Sequence, residues 1–200
     1  MKLYYVPGVC SLSPHIALRE SGLKFELDKV DRNTKKTASN GADYNLINPK
    51  GYVPALQLDD GSVLTEGLVI VQYIADLAPK KQLAPKYGTM ERYRLNEWLA
   101  YIATEIHKGY GPLFRIKNAE EKGPFVENLE RRLGYIATQL EGKPYLMGEQ
   151  FTVADGYLFA VMTWSPRVGI DIAKWPLLKA YFDRVAARPA VLAALAAEKS

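Results

Sequence analysis

Cysteine occurs once in this chain and histidine twice, and both scarcities narrow the chemistry. A lone Cys10 cannot close an internal disulfide, which fits a reducing compartment. One thiol with His15 and His107, so far apart in the sequence, does not match the closed ligand set of a structural zinc site. Neither GxGxxG nor GxxxxGK[ST] occurs, which argues against the common dinucleotide and nucleotide folds. GxSxG is also missing, so a nucleophile elbow is not expected. No stretch approaches the ~18 uncharged apolar residues needed to cross a bilayer. The most apolar candidate, "GLVIVQYIADLA", is interrupted by Gln72 and Asp76. The start, "MKLYYVPG", lacks the sustained apolar core of a secretion signal. The expectation is a cytoplasmic chain with no membrane partner. The basic excess is small, 26 Lys+Arg against 22 Asp+Glu, with a net charge of +4. It comes in dispersed pairs such as Lys35-Lys36 and Arg131-Arg132, with no stripe to follow a phosphate backbone, so nucleic acid is not an expected partner. A mildly positive surface suits small anionic substrates instead.

What is present divides the chain in two. "KLYYV" (2–6) has strand composition, and "PHIALRESG" (14–22) has Pro near a helix start and Gly at its end. "FELDKV" (25–30) opens with strand alternation, and 32–50 is poorly marked. "ALQLDDGSVL" (55–64) sets an Asp-Gly pair between apolar runs, a hairpin signal, and "EGLVIVQYIADLA" (66–78) reads as a mostly buried helix. The order β-α-β, then β-β-α, predicts a small α/β domain with a mixed sheet. From about residue 90 strand signals vanish. Leu95, Trp98, Leu99, Ile102 and Ile106 form one helical stripe, and Phe125, Leu129, Leu133, Ile136 and Leu140 a second. Thr152 followed by Asp155 has capping-box spacing, and the last helical stretch divides near Pro189. The expected domains are 1–80 and 89–200, joined by a Pro-, Lys- and Gly-rich linker at 81–88.

Four places carry candidate chemistry. Cys10 lies between the first strand and the first helix, where exposed N–H groups and the macrodipole favour a thiolate, with Ser11 and Ser13 as extra donors. It is either a reactive thiol or a small buried hydrophobe. His107 sits off the apolar stripe, and α-helical spacing puts Ala100, Ala103 and Thr104 on its face, leaving room for a ligand or a second helix. His15 reads as structural, because a positive charge in a first helical turn opposes the dipole. In "NPKGYVPAL" (48–56), Pro54 precedes a strand. A cis bond there would turn the Val53 backbone outward to pair with an extended, peptide-like ligand, while a trans bond would make it an ordinary edge-strand proline. In "LTEGL" (64–68), Glu66 and Gly67 open a helix where backbone N–H groups hold a carboxylate and Glu66 accepts from an ammonium, as an α-amino acid requires. Glu66 could equally be a favourable first-turn charge.

Taken in order, "YYVPGVCSLSPHIALRESG", "NPKGYVPALQLDDGSVLTEG", "EWLAYIATEIHKG" and "FTVADGYLF" resemble a bacterial beta-class glutathione S-transferase over essentially the whole chain. The pairing of Cys10 with His107 points to the beta class. The resemblance implies a thioredoxin-like N-terminal domain with a mixed four-stranded sheet, an all-helical C-terminal domain and a homodimer. It implies that glutathione is a co-substrate, with no metal or other cofactor, and that a small hydrophobic electrophile is the second substrate. By position, Cys10 would lie beside the glutathione sulfur and could form a mixed disulfide with it. Val53, before Pro54, would pair with the cysteinyl unit, and Glu66 and Gly67 would hold the γ-glutamyl end. Lys35 or Lys36 would meet the glycyl carboxylate. Thr104, Glu105, Ile106 and His107 would border the thiol, with His107 closest, and Tyr5 would be a secondary catalytic group. Two positions depart from the pattern: Gly67 stands where many members have serine, and Ala100 where some have asparagine. The segment "NTKKTASNG" aligns only with a gap.

Three functions fit this reading. The first is conjugation of the glutathione thiol to electrophiles, with thiol–disulfide exchange at Cys10. The second is a glutaredoxin-like reductase, in which the absence of a second cysteine in "CSLS" requires external glutathione for resolution. The third is a non-catalytic binder of glutathione or hydrophobic compounds. A Cys–His protease is disfavoured because nothing in the sequence orients the imidazole. Tyr110 and Trp164 are candidates to line the electrophile pocket.

Overall fold

A computed structural model describes residues 1–199. The chain forms two compact units. The first holds Met1–Leu83 together with the last helix, and the second Ala84–Arg188.

In the first unit, β1 (Lys2–Tyr5) pairs in parallel with β2 (Glu26–Lys29) and antiparallel with β3 (Ala55–Gln57), which pairs antiparallel with β4 (Val63–Thr65). The sheet is mixed and four-stranded, in the order β2-β1-β3-β4, and the architecture is thioredoxin-like, as the sequence predicts. Alternation along β1 sends its side chains to two faces. Tyr5 turns its ring to His15 on α1 (Leu12–Ser21), while Tyr4 packs on Tyr44 of the short α2 (Tyr44–Ile47). Tyr4, Val30, Tyr44 and Ala55 form the core of that second face. Helix α3 (Gly67–Leu77) packs against α1, with Ile70, Val71 and Ile74 fully buried. Each such side chain contributes about 2 kcal/mol of burial energy.

Local signals place several boundaries correctly. Gly22 adopts φ 71° and ends α1 in the left-handed region that glycine tolerates. The Asp60-Gly61 turn is looser than a two-residue hairpin, since Leu58 N–H reaches over three residues to the Ser62 carbonyl.

The second unit is helical: α4 (Met90–Tyr101), a π-helical segment (Ile102–His107), α5 (Lys108–Arg115), α6 (Ala119–Gln139), α7 (Val153–Met162), α8 (Ser165–Val168) and α9 (Pro176–Ala186). The predicted stripes form its core, apart from half-buried Trp98 and from Phe125, which is exposed one turn before Leu129. Thr152 and Asp155 close the start of α7 as a capping box.

The final helix, α10 (Pro189–Lys199), departs from the expected grouping of 89–200. It packs on α1 in the first unit, burying Val191 and Ala194. Its Glu198 accepts from the Gly8 N–H at 3.0 Å and lies 3.1 Å from His15 Nδ1. This attachment spans more than 180 residues, so no local pattern announces it. Among the described residues no helix is long and apolar enough to cross a membrane.

Candidate functional site

The first unit gathers five of the expected residues, Cys10, Val53, Pro54, Glu66 and Gly67, near the turn after β1. Cys10 precedes Ser11, the N-cap of α1, and its Sγ donates to the Val53 carbonyl at 3.4 Å. The Val53–Pro54 bond is cis, one of the two alternatives left open by the sequence. The Val53 N–H has no partner among the described residues, whereas its carbonyl is already taken by the thiol. A Cβ added at Gly67 would lie 3.6 Å from Pro54 Cγ, an ordinary contact distance. Glu66 caps α3 with φ 68°, a left-handed conformation that is uncommon outside glycine.

The acidity expected of Cys10 is overturned. Burial pushes the thiol up to about 11. Backbone N–H groups of Cys10 and Ser11 pull the other way and lose, and the Glu66 carboxylate pushes it further up. Nor do the neighbouring serines serve the sulfur. The Ser11 hydroxyl donates to the Val6 carbonyl at 3.0 Å and accepts from the Val6 N–H at 3.2 Å. Ser13 Oγ is buried without a partner among the described residues. A helix start favours an anion only where the anion remains solvated or meets the free N–H groups, and here desolvation is the larger effect.

The two lysines separate. Lys35, itself at φ 56°, sends its ammonium to the Gly51 carbonyl at 3.2 Å, on the loop that carries Val53. Lys36 is exposed, and its backbone bridges to Asp43. Tyr5 is buried, and its phenol is pushed up by desolvation first and by Glu198 and Asp28 second, so it does not supply a phenolate.

In the second unit His107 ends the π-helical segment. Such i→i+5 segments recur at functional sites, and the widened turn cancels the α-helical spacing that placed Ala100, Ala103 and Thr104 on its face. The Thr104 hydroxyl instead donates back to the Ala100 carbonyl at 3.0 Å. Glu105 is paired with Arg132, and the Ile106 side chain is fully buried. His107 Nδ1 lies 2.8 Å from the Tyr157 hydroxyl, and its ring stands edgewise to Tyr157 and Trp164. Burial lowers its pKa to about 4, with Lys108 adding to the effect.

Both halves of the chain match models of one family. Residues 9–77 match the glutathione S-transferase N-terminal domain, and residues 101–189 its C-terminal domain. The chain belongs to the glutathione S-transferase family. It is 49% identical to glutathione S-transferase GstA of Escherichia coli O157:H7 over 99% of this chain and 98% of that protein. Among solved structures, the ternary complex of BphK, a bacterial GST, is 57% identical, with a TM-score of 0.96 and full coverage of both chains. A sphingomonad glutathione S-transferase solved with glutathione is 46% identical (TM-score 0.95; 100% and 99% coverage). The bacterial beta-class transferase of Sphingomonas chungbukensis is 47% identical (TM-score 0.93; 99% and 98% coverage). These neighbours agree with the beta-class resemblance of the sequence, and the chain is an enzyme of this transferase type.

Two features of the transferase escaped the sequence. Lys50 binds Glu66 Oε1 at 2.6 Å and Thr65 Oγ1 at 3.0 Å, which places a cation on the carboxylate expected to hold an ammonium. Its only signal was a positive charge inside the "NPKG" loop. Tyr110, expected in the electrophile pocket, is fully buried and hydrogen-bonded to Ser165 Oγ at 2.6 Å. Trp164 is also buried, and its neighbour Phe114 is the exposed aromatic of that cluster.

Proposed function

We propose that this transferase binds reduced glutathione at the turn formed by Cys10, Val53 and Pro54, and joins its sulfur to small hydrophobic electrophiles. The observation that carries the reading is the Cys10 Sγ contact with the Val53 carbonyl, which puts the thiol on the backbone edge where an extended tripeptide would pair. The free Val53 N–H supplies a donor for the cysteinyl carbonyl. Glu66, with the backbone N–H groups opening α3 at Gly67, receives the γ-glutamyl ammonium and carboxylate. For the glycyl carboxylate, Lys35 is favoured over Lys36 because its ammonium already reaches the Val53 loop. In conjugation, the glutathione thiolate forms the new C–S bond as the leaving group departs with its electron pair, and the thiol proton passes to solvent. Proximity of the two substrates supplies most of the advantage.

A protonated Cys10, its one S–H given to the Val53 carbonyl, serves this reaction as an uncharged neighbour of the glutathione sulfur, and its high pKa makes it a slow nucleophile. Thiol–disulfide exchange is then a secondary activity. In it, the Cys10 thiolate attacks the glutathione sulfur of a substrate mixed disulfide, the substrate sulfur leaves as thiolate, and a free glutathione resolves the Cys10–glutathione disulfide, releasing glutathione disulfide. His107 contributes to the transferase reaction, and Tyr5 plays a structural part. The active form is a cytoplasmic homodimer. Exposed Tyr52 and Leu77 in the first unit, and Tyr87, Met90 and Tyr93 in the second, offer apolar surface for a second copy to cover.

The test pairs two assays on Cys10→Ala. Conjugation of a chlorinated dinitrobenzene is expected to persist while reduction of a glutathione mixed disulfide is lost. Loss of both would make Cys10 central to conjugation as well, and absence of glutathione binding by calorimetry in the wild type would overturn the site.

A further inference from the structure

The two histidines are held in opposite hydrogen-bonding states. At His15, the Arg19 Nε–H, which can only donate, reaches Nε2 at 3.2 Å. The carboxylate of Glu198 stands 3.1 Å from Nδ1. Nε2 is therefore the acceptor, and the ring hydrogen sits on Nδ1. At His107 the order reverses. Its Nδ1 faces the Tyr157 hydroxyl at 2.8 Å, and its Nε2 has no partner among the described residues. A phenol is a stronger donor than an imidazole N–H, and an unprotonated ring nitrogen is a stronger acceptor than a phenolic oxygen. The favoured arrangement is O–H to Nδ1, with the ring hydrogen on Nε2.

The surroundings then fix the direction of that N–H. Tyr157 lies at 5.9 Å and 87° to the imidazole, and Trp164 at 5.1 Å and 64°, so the ring is held from two sides. Tyr157 is itself only 4% exposed and stands on α7, the helix opened by the Thr152–Asp155 capping box. Burial keeps the imidazole uncharged at neutral pH.

We propose that Tyr157 is a positioning residue, whose hydroxyl holds His107 as the Nε2–H tautomer and so makes it a neutral hydrogen-bond donor and not a base. The functional half of this inference rests on the role proposed above for His107 in the transferase reaction, while the tautomer stands on the geometry alone. A base at this position would need a free lone pair on Nε2, and the Tyr157 hydrogen bond removes it.

Nitrogen NMR of ring-labelled histidine tests it directly, because the chain has only two histidines and a His107→Gln spectrum assigns them. His15 is expected to show a protonated Nδ1 and His107 a protonated Nε2. A protonated Nδ1 at His107 would overturn the proposal, since Tyr157 would then be the acceptor. In Tyr157→Phe the two His107 nitrogens are expected to move toward averaged values, with kcat falling about 5- to 10-fold, the loss of one hydrogen bond's worth of orientation. KM for glutathione should move less than kcat. An unchanged His107 pattern in Tyr157→Phe would show that the hydroxyl is not what selects the tautomer. Full activity in His107→Ala, with the wild-type spectrum as expected, would instead sink the catalytic reading of His107 and leave the tautomer assignment standing.

Discussion

The Cys10 thiol can be tested by alkylation followed by intact mass, because a single cysteine makes every adduct unambiguous. Burial drives this thiol to about 11, against about 8.5 for a free cysteine. That gap leaves about 300-fold less thiolate at pH 7. Each thiolate is also more nucleophilic, and a Brønsted slope of about 0.4–0.5 returns roughly 10-fold. Iodoacetamide should therefore modify the unliganded protein about 20- to 30-fold more slowly than a cysteine peptide at pH 7, with the rate still climbing above pH ~9. The Glu66 carboxylate pushes the thiol in the same direction, so Glu66→Gln should move the inflection to lower pH. Lys50→Met should move it to higher pH by removing the cation that partly neutralises Glu66. An inflection below the free-cysteine value in the wild type would refute the reasoning, because the helix start would then outweigh burial after all.

Three further outcomes follow from the same structure. Asp155 accepts from Leu146 N–H at 2.9 Å, Thr152 N–H at 2.8 Å, Thr152 Oγ1 at 3.0 Å and Tyr181 Oη at 3.1 Å, all buried. Removing that acceptor in Asp155→Ala should cost about 3–5 kcal/mol in urea unfolding, with Asp155→Asn costing less; a wild-type midpoint for the alanine variant would contradict the network. The Cβ of Gly67→Ser makes only an ordinary contact with Pro54, and its hydroxyl adds a donor at the proposed γ-glutamyl end, so glutathione KM should fall a few-fold at unchanged Tm, and a rise in KM would count against that assignment. His107 has its pKa lowered in the folded state to about 4, so between there and its unfolded value of 6.5 the unfolded chain binds the extra proton. Its contribution is intact above pH 6.5 and is lost as pH falls toward 4, an effect of up to about 3 kcal/mol before allowance for partial exposure. Urea midpoints should thus fall less steeply with acidification in His107→Ala than in the wild type, and equal slopes would rule this out.

Several patterns set by neighbours in sequence were legible, although the π-helical turn at Ile102–His107 was not. The stripe of Leu95, Leu99, Ile102 and Ile106, the Gly22 helix end and the Thr152–Asp155 box are all local patterns with one physical solution each. The site motifs were legible for a related reason. Pro54 and Glu66–Gly67 are loop and cap residues whose backbone demands restrict what can stand there, and they do meet Cys10 in one unit.

What only tertiary structure decided is how each polar group is solvated. Cys10 looks acidic from its place before a helix, and burial reverses the sign. His107 looks like a residue on an α-helical face, yet a π-helical segment re-aims it and Tyr157, fifty residues on, sets its hydrogen bond. His15 looks unremarkable until Glu198 arrives from the far end of the chain to hold it together with Gly8. The sequence by itself determined most of the elements, the family resemblance and the main candidate residues, because propensity, capping and apolar period act over a few residues. Charge states and hydrogen-bond partners had to wait for the fold, because desolvation and pairing depend on groups that chain order keeps far apart.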